Sequence, residues 1–171
     1  MDNKKFLRMF CPAFWPTTED INDIEEFANK LELKTIIHDF RTKDNTLSLW
    51  NLDDPIDAAL GLVNPNYKLS DVFFVKITES RLEEAGLLIK NNKGNSLFED
   101  LNDNHFDILD VNYTSLKKVS ELVLEAIKNE QYEFVIAQEI IDRIKEYLDD
   151  GKIDFNILPK EIRKKISIPV G

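Results

Sequence analysis

The sequence predicts an α+β fold: a mixed β-sheet of about five strands with helices packed against it, then a helical C-terminal third. Three observations carry that prediction. Short strand-like segments alternate with helical patterns through the first two-thirds of the chain. Val72, Phe73, Phe74, Val75 and Ile77 form an almost continuous apolar run, which suits a strand covered on both faces. Beyond Asn112 the apolar spacing turns helical. The 171 residues hold no repeat, low-complexity tract or Gly/Ser linker, so a single domain over 1–171 is expected, with its sheet in about 1–112 and its helical part in about 113–171.

Taken in order, Lys4–Phe10 reads as the first strand. In the connector FCPAFWPTTED, Pro12 and Pro16 stiffen the chain, while Phe14 and Trp15 are placed to pack over the core edge. Thr17 or Thr18 should cap a helix with Ile21, Ile24, Phe27, Ala28 and Leu31 on one face, and Asp20 offers a capping-box partner. Lys34–Arg41 and Thr46–Asn51 read as strands joined by a polar turn, with Leu47 and Leu49 on one buried face. Asp54 and Pro55 open a helix to Leu62, and Asn64-Pro65-Asn66 marks a turn.

Ser80 and Glu83 form a capping-box pair for a helix carrying Leu82, Ala85, Leu88 and Ile89, with Gly94 just past its end. A strand is expected at Phe106–Val111. Two helices follow, Ser115–Lys128 with Leu116, Val119, Val123, Ala126 and Ile127 as its stripe, and Glu133–Asp149 with Phe134, Ala137, Ile141, Ile144 and Leu148. A short helix over Leu158–Ile166 ends the pattern.

Composition narrows the function classes. Hydrophobic residues make up 43% and charged residues 32%, the balance of a soluble globular protein and not of a disordered or membrane one. The single cysteine, Cys11, allows no internal disulfide. MDNKKFLRMFCPAFWP departs from a signal peptide, because Arg8 and Pro12 interrupt its apolar run and no small-residue cleavage site follows. A cytoplasmic protein is expected. The formal charge of −10 opposes direct binding to nucleic acid or an anionic membrane. From Leu97 to Asn112 run five acids, Glu99, Asp100, Asp103, Asp107 and Asp110, with no Lys or Arg, whereas Lys160, Arg163, Lys164 and Lys165 cluster near the end.

Motifs for chemistry are weak. Cys-Pro after a strand could place a thiol at a helix N-terminus, but Pro16 and Thr17 put the helix start several residues on, so Cys11 reads as a small hydrophobe. On the expected strand, His38 shares a face with Ile36 and Phe40 while Asp39 points away, and His105 lies among acids. DDGKIDF around Gly151 mimics the middle of a calcium loop, yet Leu148 and Ile157 would occupy ligand positions; Gly151 reads instead as a helix C-terminal cap. DLNDNHFD, Asp100–Asp107, has oxygens but no glycine for the sharp turn. Asp53, Asp54 and Asp57 could form a carboxylate cluster for metal-assisted hydrolysis, but helix capping accounts for Asp54 and the helix dipole for Asp57, and no histidine lies nearby in sequence. No catalytic residue, metal or cofactor is assigned.

The expectation is therefore a protein-binding module: a stoichiometric inhibitor of the bacterial immunity or antitoxin type, occluding the basic active site of a partner such as a nuclease toxin. Glu99, Asp100, Asp103, Asp107 and Asp110 are assigned to steering and Trp50 to anchoring, with a core-edge position as its alternative reading. Two other classes remain: a hydrolase or transferase using His38 or His105 with a carboxylate, and a regulatory or structural subunit, homo-oligomeric or docking through the helical face of Glu133–Asp149.

Overall fold

The computed structural model describes residues 4–30, 39–40 and 45–167. The strands are β1 (Lys5–Phe10), β2 (Leu47–Trp50), β3 (Val72–Thr78), β4 (Ile89–Asn91), β5 (His105–Ile108) and β6 (Tyr132–Val135). They form one sheet in the order β4-β5-β2-β1-β3-β6, and every pairing is antiparallel. The helices among the described residues are α1 (Ile24–Lys30), α2 (Pro55–Gly61), α3 (Glu79–Glu84), α4 (Tyr113–Lys128), α5 (Ala137–Asp149) and α6 (Lys160–Ser167). The fold is α+β.

Because side chains alternate along a strand, β1, β2 and β3 each feed two cores. Phe6, Phe10, Leu47, Leu49, Val75, Ile77 and Ile108 meet Val119, Val123 and Ile127 of α4, with Ile24 and Phe27 of α1 packed beside them. Leu7, Trp50, Val72, Phe74 and Val135 point the other way, onto Ala58–Leu60 of α2, Ile140, Ile141 and Ile144 of α5 and Ile162 of α6. Helices thus cover both faces, and β3 is the doubly covered strand that its apolar run implies. Leu47 and Leu49 share a buried face as expected.

The Asp54 cap read from sequence recurs in the structure, and the helix expected from Ser115 has a cap at Asn112 that the sequence reading did not name. Asp54 Oδ1 accepts from Ile56 N at 2.8 Å to start α2, and Asn112 Oδ1 accepts from Thr114 N at 2.9 Å to start α4. The turn after α2 closes with Tyr67 N donating to Asn64 O at 2.9 Å.

Four boundaries differ from expectation. Thr17 and Asp20 do close on one another, with Oγ1 donating to Oδ2 at 2.6 Å, but they cap a single 3-10 turn, Thr18–Asp20. Asp23, accepting from Glu26 N at 2.9 Å, begins α1. The expected strand at Lys34–Arg41 lies mostly outside the described residues, His38 and Leu31 with it; Asp39 and Phe40, which are described, are in no strand. β2 takes its partners from β1 and β5.

Gly86 ends α3 early. Its φ of +66° suits a residue without a side chain, and Leu87 N donates to Leu82 O at 2.9 Å to close the helix. Ile89, expected on that helix, instead faces Ile108 in β4.

The largest difference is at Glu133–Asp149, where the first residues are a strand. Phe134 lies opposite Phe73 in β6, with ring centroids 4.4 Å apart. The helix begins only at Ala137, fixed by Glu139 Oε2 accepting from Ile136 N at 2.9 Å and by Asp71 Oδ1 accepting from Ala137 N at 2.8 Å. The C-terminal third therefore contributes the sixth strand. Among the described residues, no helix is long and apolar enough to cross a membrane.

Candidate functional site

The acidic stretch splits in the fold. Glu99, Asp100 and Asp103 lie exposed on a six-residue 3-10 helix, Glu99–Asn104, leading into β5. Asp107, two residues into the strand, is 3% exposed and accepts from Asn92 Nδ2 at 2.6 Å. It offers no surface for steering. Asp110 is exposed beyond the far end of β5, with φ of +52°. Only three of the five acids share a surface element.

Other acids join them from far along the chain. Arg143 of α5 reaches back to α2, where Nη2 donates to Asp54 Oδ2 at 2.8 Å and Nη1 to Asp57 Oδ1, while Nε lies 3.0 Å from Glu146 Oε2. One guanidinium thus holds three carboxylates. Burial is the main reason the Asp57 carboxyl sits above its ordinary range; Arg143 pulls it back down, and the charges of Asp54 and Asp100 add to the rise. One turn along α5 from Arg143, the Tyr147 hydroxyl donates to Asp100 Oδ2 at 3.1 Å. Burial first, and then the Asp100 charge, push the Tyr147 phenol well above its usual value. Lys152 packs over that ring at 5.1 Å and pairs with Asp150 at 2.9 Å.

Glu99, Asp100 and Asp103 make no ion pair among the described residues; Arg143 is engaged by Asp54 and Asp57, and Lys152 by Asp150. The 3-10 helix beneath them is held firmly. Asn102 is 4% exposed; its Oδ1 accepts from Ser96 N at 2.8 Å and its Nδ2 donates to Ser96 O at 3.0 Å. Ser96 Oγ in turn donates to Leu60 O at 2.7 Å, tying the loop to α2.

Trp50 is a core residue. It is 4% exposed, and Gly61 and Gly94 lie against its ring, where a Cβ on Gly61 would come within 2.8 Å of ring carbons. The core-edge reading holds, and a partner cannot reach it. His105, the first residue of β5, stacks edge-on to Trp50 at 4.9 Å, its side chain 12% exposed. Nδ1 lies 2.7 Å from Asn92 O, a pure acceptor, so that nitrogen carries the proton; Nε2 lies 3.9 Å from Asp107 Oδ1. Both ring nitrogens face protein groups, and the pair braces β5 against the preceding loop. His38 lies outside the described residues.

Sequence reasoning missed a buried polar group beneath the proline-rich connector. Asp39, 7% exposed, accepts from Cys11 N at 2.9 Å and from Trp15 Nε1, and its backbone carbonyl accepts from Arg8 Nη2. Arg8 also donates to Ser48 O at 3.2 Å. Burial lowers the Arg8 guanidinium to about 10, with the Asp39 charge opposing the shift. Read as a strand residue, Asp39 gave no hint of this contact; an Arg at the centre of an apolar strand was the only signal. The connector is a bend, with Trp15 buried over the core and the Cys11 thiol unpaired.

Among the described residues, no group of three or more His, Cys, Asp or Glu side chains is arranged to hold a metal ion. Compared with family models, curated proteins and solved structures, the chain finds no match.

Proposed function

We propose that this chain is a cytoplasmic protein-binding module acting as a stoichiometric inhibitor of the immunity or antitoxin type. Its exposed carboxylates Glu99, Asp100 and Asp103 cover the basic active site of a partner such as a nuclease domain. The observation that supports this reading most is their setting. They make no ion pair and stand on a 3-10 helix fixed by the Ser96–Asn102 bonds and by the Tyr147–Asp100 bond, so little conformational freedom is left to lose on binding. Asp54 and Asp57 extend the negative field from behind, and the net charge of −10 draws a basic partner from a distance. Trp50 and Asp107 drop out of the interface because both are buried.

The enzyme alternative rests on His105 and Asp107. Its weakness is that the His105 proton is committed to a backbone carbonyl. The test is capture of a partner from the source cells by the immobilised chain. Support would be a single basic protein retained in equal molar amount, whose activity the chain blocks and which a Glu99→Lys/Asp100→Lys/Asp103→Lys chain no longer retains. Retention that survives this triple change, or a retained partner whose activity is untouched, would sink the reading.

A further inference from the structure

β6 closes one edge of the sheet, and the two edges differ sharply. At the other edge, β4 has three residues, with Lys90 exposed and Lys93 close by, features that discourage strand pairing. β6, with Ile136 following it, reads Tyr-Glu-Phe-Val-Ile and has neither Lys nor Pro. Tyr132, Phe134 and Ile136, on one side of the strand, are 41%, 46% and 41% exposed.

The ladder shows which backbone groups are free. Lys76 N donates to Gln131 O at 2.9 Å, and the register sets Val75 opposite Tyr132 and Phe73 opposite Phe134. In an antiparallel pair hydrogen-bonded and non-bonded positions alternate, so Tyr132 and Phe134 are non-bonded positions whose N–H and C=O point away from β3. They face the open edge, where the described residues supply no further strand.

Charge selects what fits there. Glu130, Glu139 and Asp71 rim the strand as exposed acids, and Lys76, on the neighbouring strand, is held by Glu133. A second copy would press two acid-rimmed edges together, in molecules of charge −10 each. We infer that β6 is a strand-addition site for an extended segment of a basic partner, with apolar side chains at alternate positions and Lys or Arg at its flanks. Backbone pairing with Tyr132 and Phe134 provides the register. The aromatic row Phe10–Phe73–Phe134, with centroid spacings of 6.0 and 4.4 Å, continues onto the added strand. The inference does not depend on the acidic-face reading, since nothing in it involves Glu99, Asp100 or Asp103.

The probe is a synthetic peptide, KKVTVTVKK, titrated into the 15N-labelled full chain beside its acid-flanked counterpart EEVTVTVEE. The basic peptide should shift the Tyr132 and Phe134 amides and slow their hydrogen exchange, and the acidic peptide should bind about tenfold or more weakly at low salt. Phe134→Lys, at an exposed position, should abolish both effects, and Tyr132→Lys provides the same check should the first variant fold poorly. The inference is overturned by no shift at these amides, or by equal binding of the two peptides. It is likewise overturned by concentration-dependent shifts there without peptide, with a dimer in sedimentation, which would assign the edge to a second copy.

Discussion

The Tyr147 hydroxyl donates to the Asp100 carboxylate at 3.1 Å, joining α5 to the acidic 3-10 helix across 47 residues of sequence. Tyr147→Phe keeps the ring packing against Phe98 and Lys152 but removes this bond. Urea unfolding should show a loss of about 1 kcal/mol, the usual net contribution of such a bond. Spectrophotometric titration adds a second check. The variant should lack one phenol that ionises late, since burial and the Asp100 charge push Tyr147 well above its usual value.

Gly61 faces the Trp50 ring so closely that a methyl group would stand 2.8 Å from three ring carbons. The ring is buried and cannot swing clear. Gly61→Ala should therefore cost about 1–3 kcal/mol through overpacking. The urea midpoint should fall with an unchanged slope, and Trp50 emission should change in the folded state.

Arg8 and Asp39 are mutually dependent. Asp39→Ala leaves the Cys11 amide and the Trp15 indole without an acceptor and deprives buried Arg8 of its nearby carboxylate. A loss of about 2–4 kcal/mol is expected, because two buried donors lose their acceptor. Adding Arg8→Met to that variant should cost far less than Arg8→Met does in the intact chain, a non-additivity read from a double-mutant cycle. Strictly additive losses would dissolve the pair.

Asp57 has a pH signature of definite sign. Its folded carboxyl holds its proton to higher pH than an unfolded Asp, so its contribution is fully present below the unfolded value and is lost as pH rises through the folded one. Arg143 opposes that shift, so Arg143→Gln should move Asp57 titration further up in a carboxyl NMR experiment. Stability should drop more at neutral than at acid pH. Asp142, lowered by its bond to Lys145, should titrate below Asp57 in the same spectra.

The sequence carried the local half of this structure. The cap at Asp54, the apolar face of α4 and the doubly buried β3 were legible because each is written in neighbouring residues. Phe134 misled because its spacing to Ala137 and Ile141 matches a helix, whereas pairing with Phe73, some sixty residues earlier, decides its conformation. Gly94 was read as a helix cap, but Gly86 had already ended that helix. Of the site, the three exposed acids were visible as a charge run. Their backing by Asp54, Asp57 and Tyr147 was not, because Arg143 and Tyr147 meet residues 40 to 90 positions away that no local pattern marks. The same limit hid the burial of Asp107 and Trp50, since strand alternation fixes a face but not what covers it.

The central claim is that Glu99, Asp100 and Asp103 steer a basic partner onto this surface. The most direct test is the association rate of the captured partner, followed by stopped flow across a salt series. Screening shortens from about 30 Å at 0.01 M salt to about 8 Å at 0.15 M, so the steering should show at the low end. The account predicts that Glu99→Lys/Asp100→Lys/Asp103→Lys slows association by at least about tenfold at low salt and that the two rates converge as salt rises. An association rate unchanged by the triple reversal at low salt would contradict it.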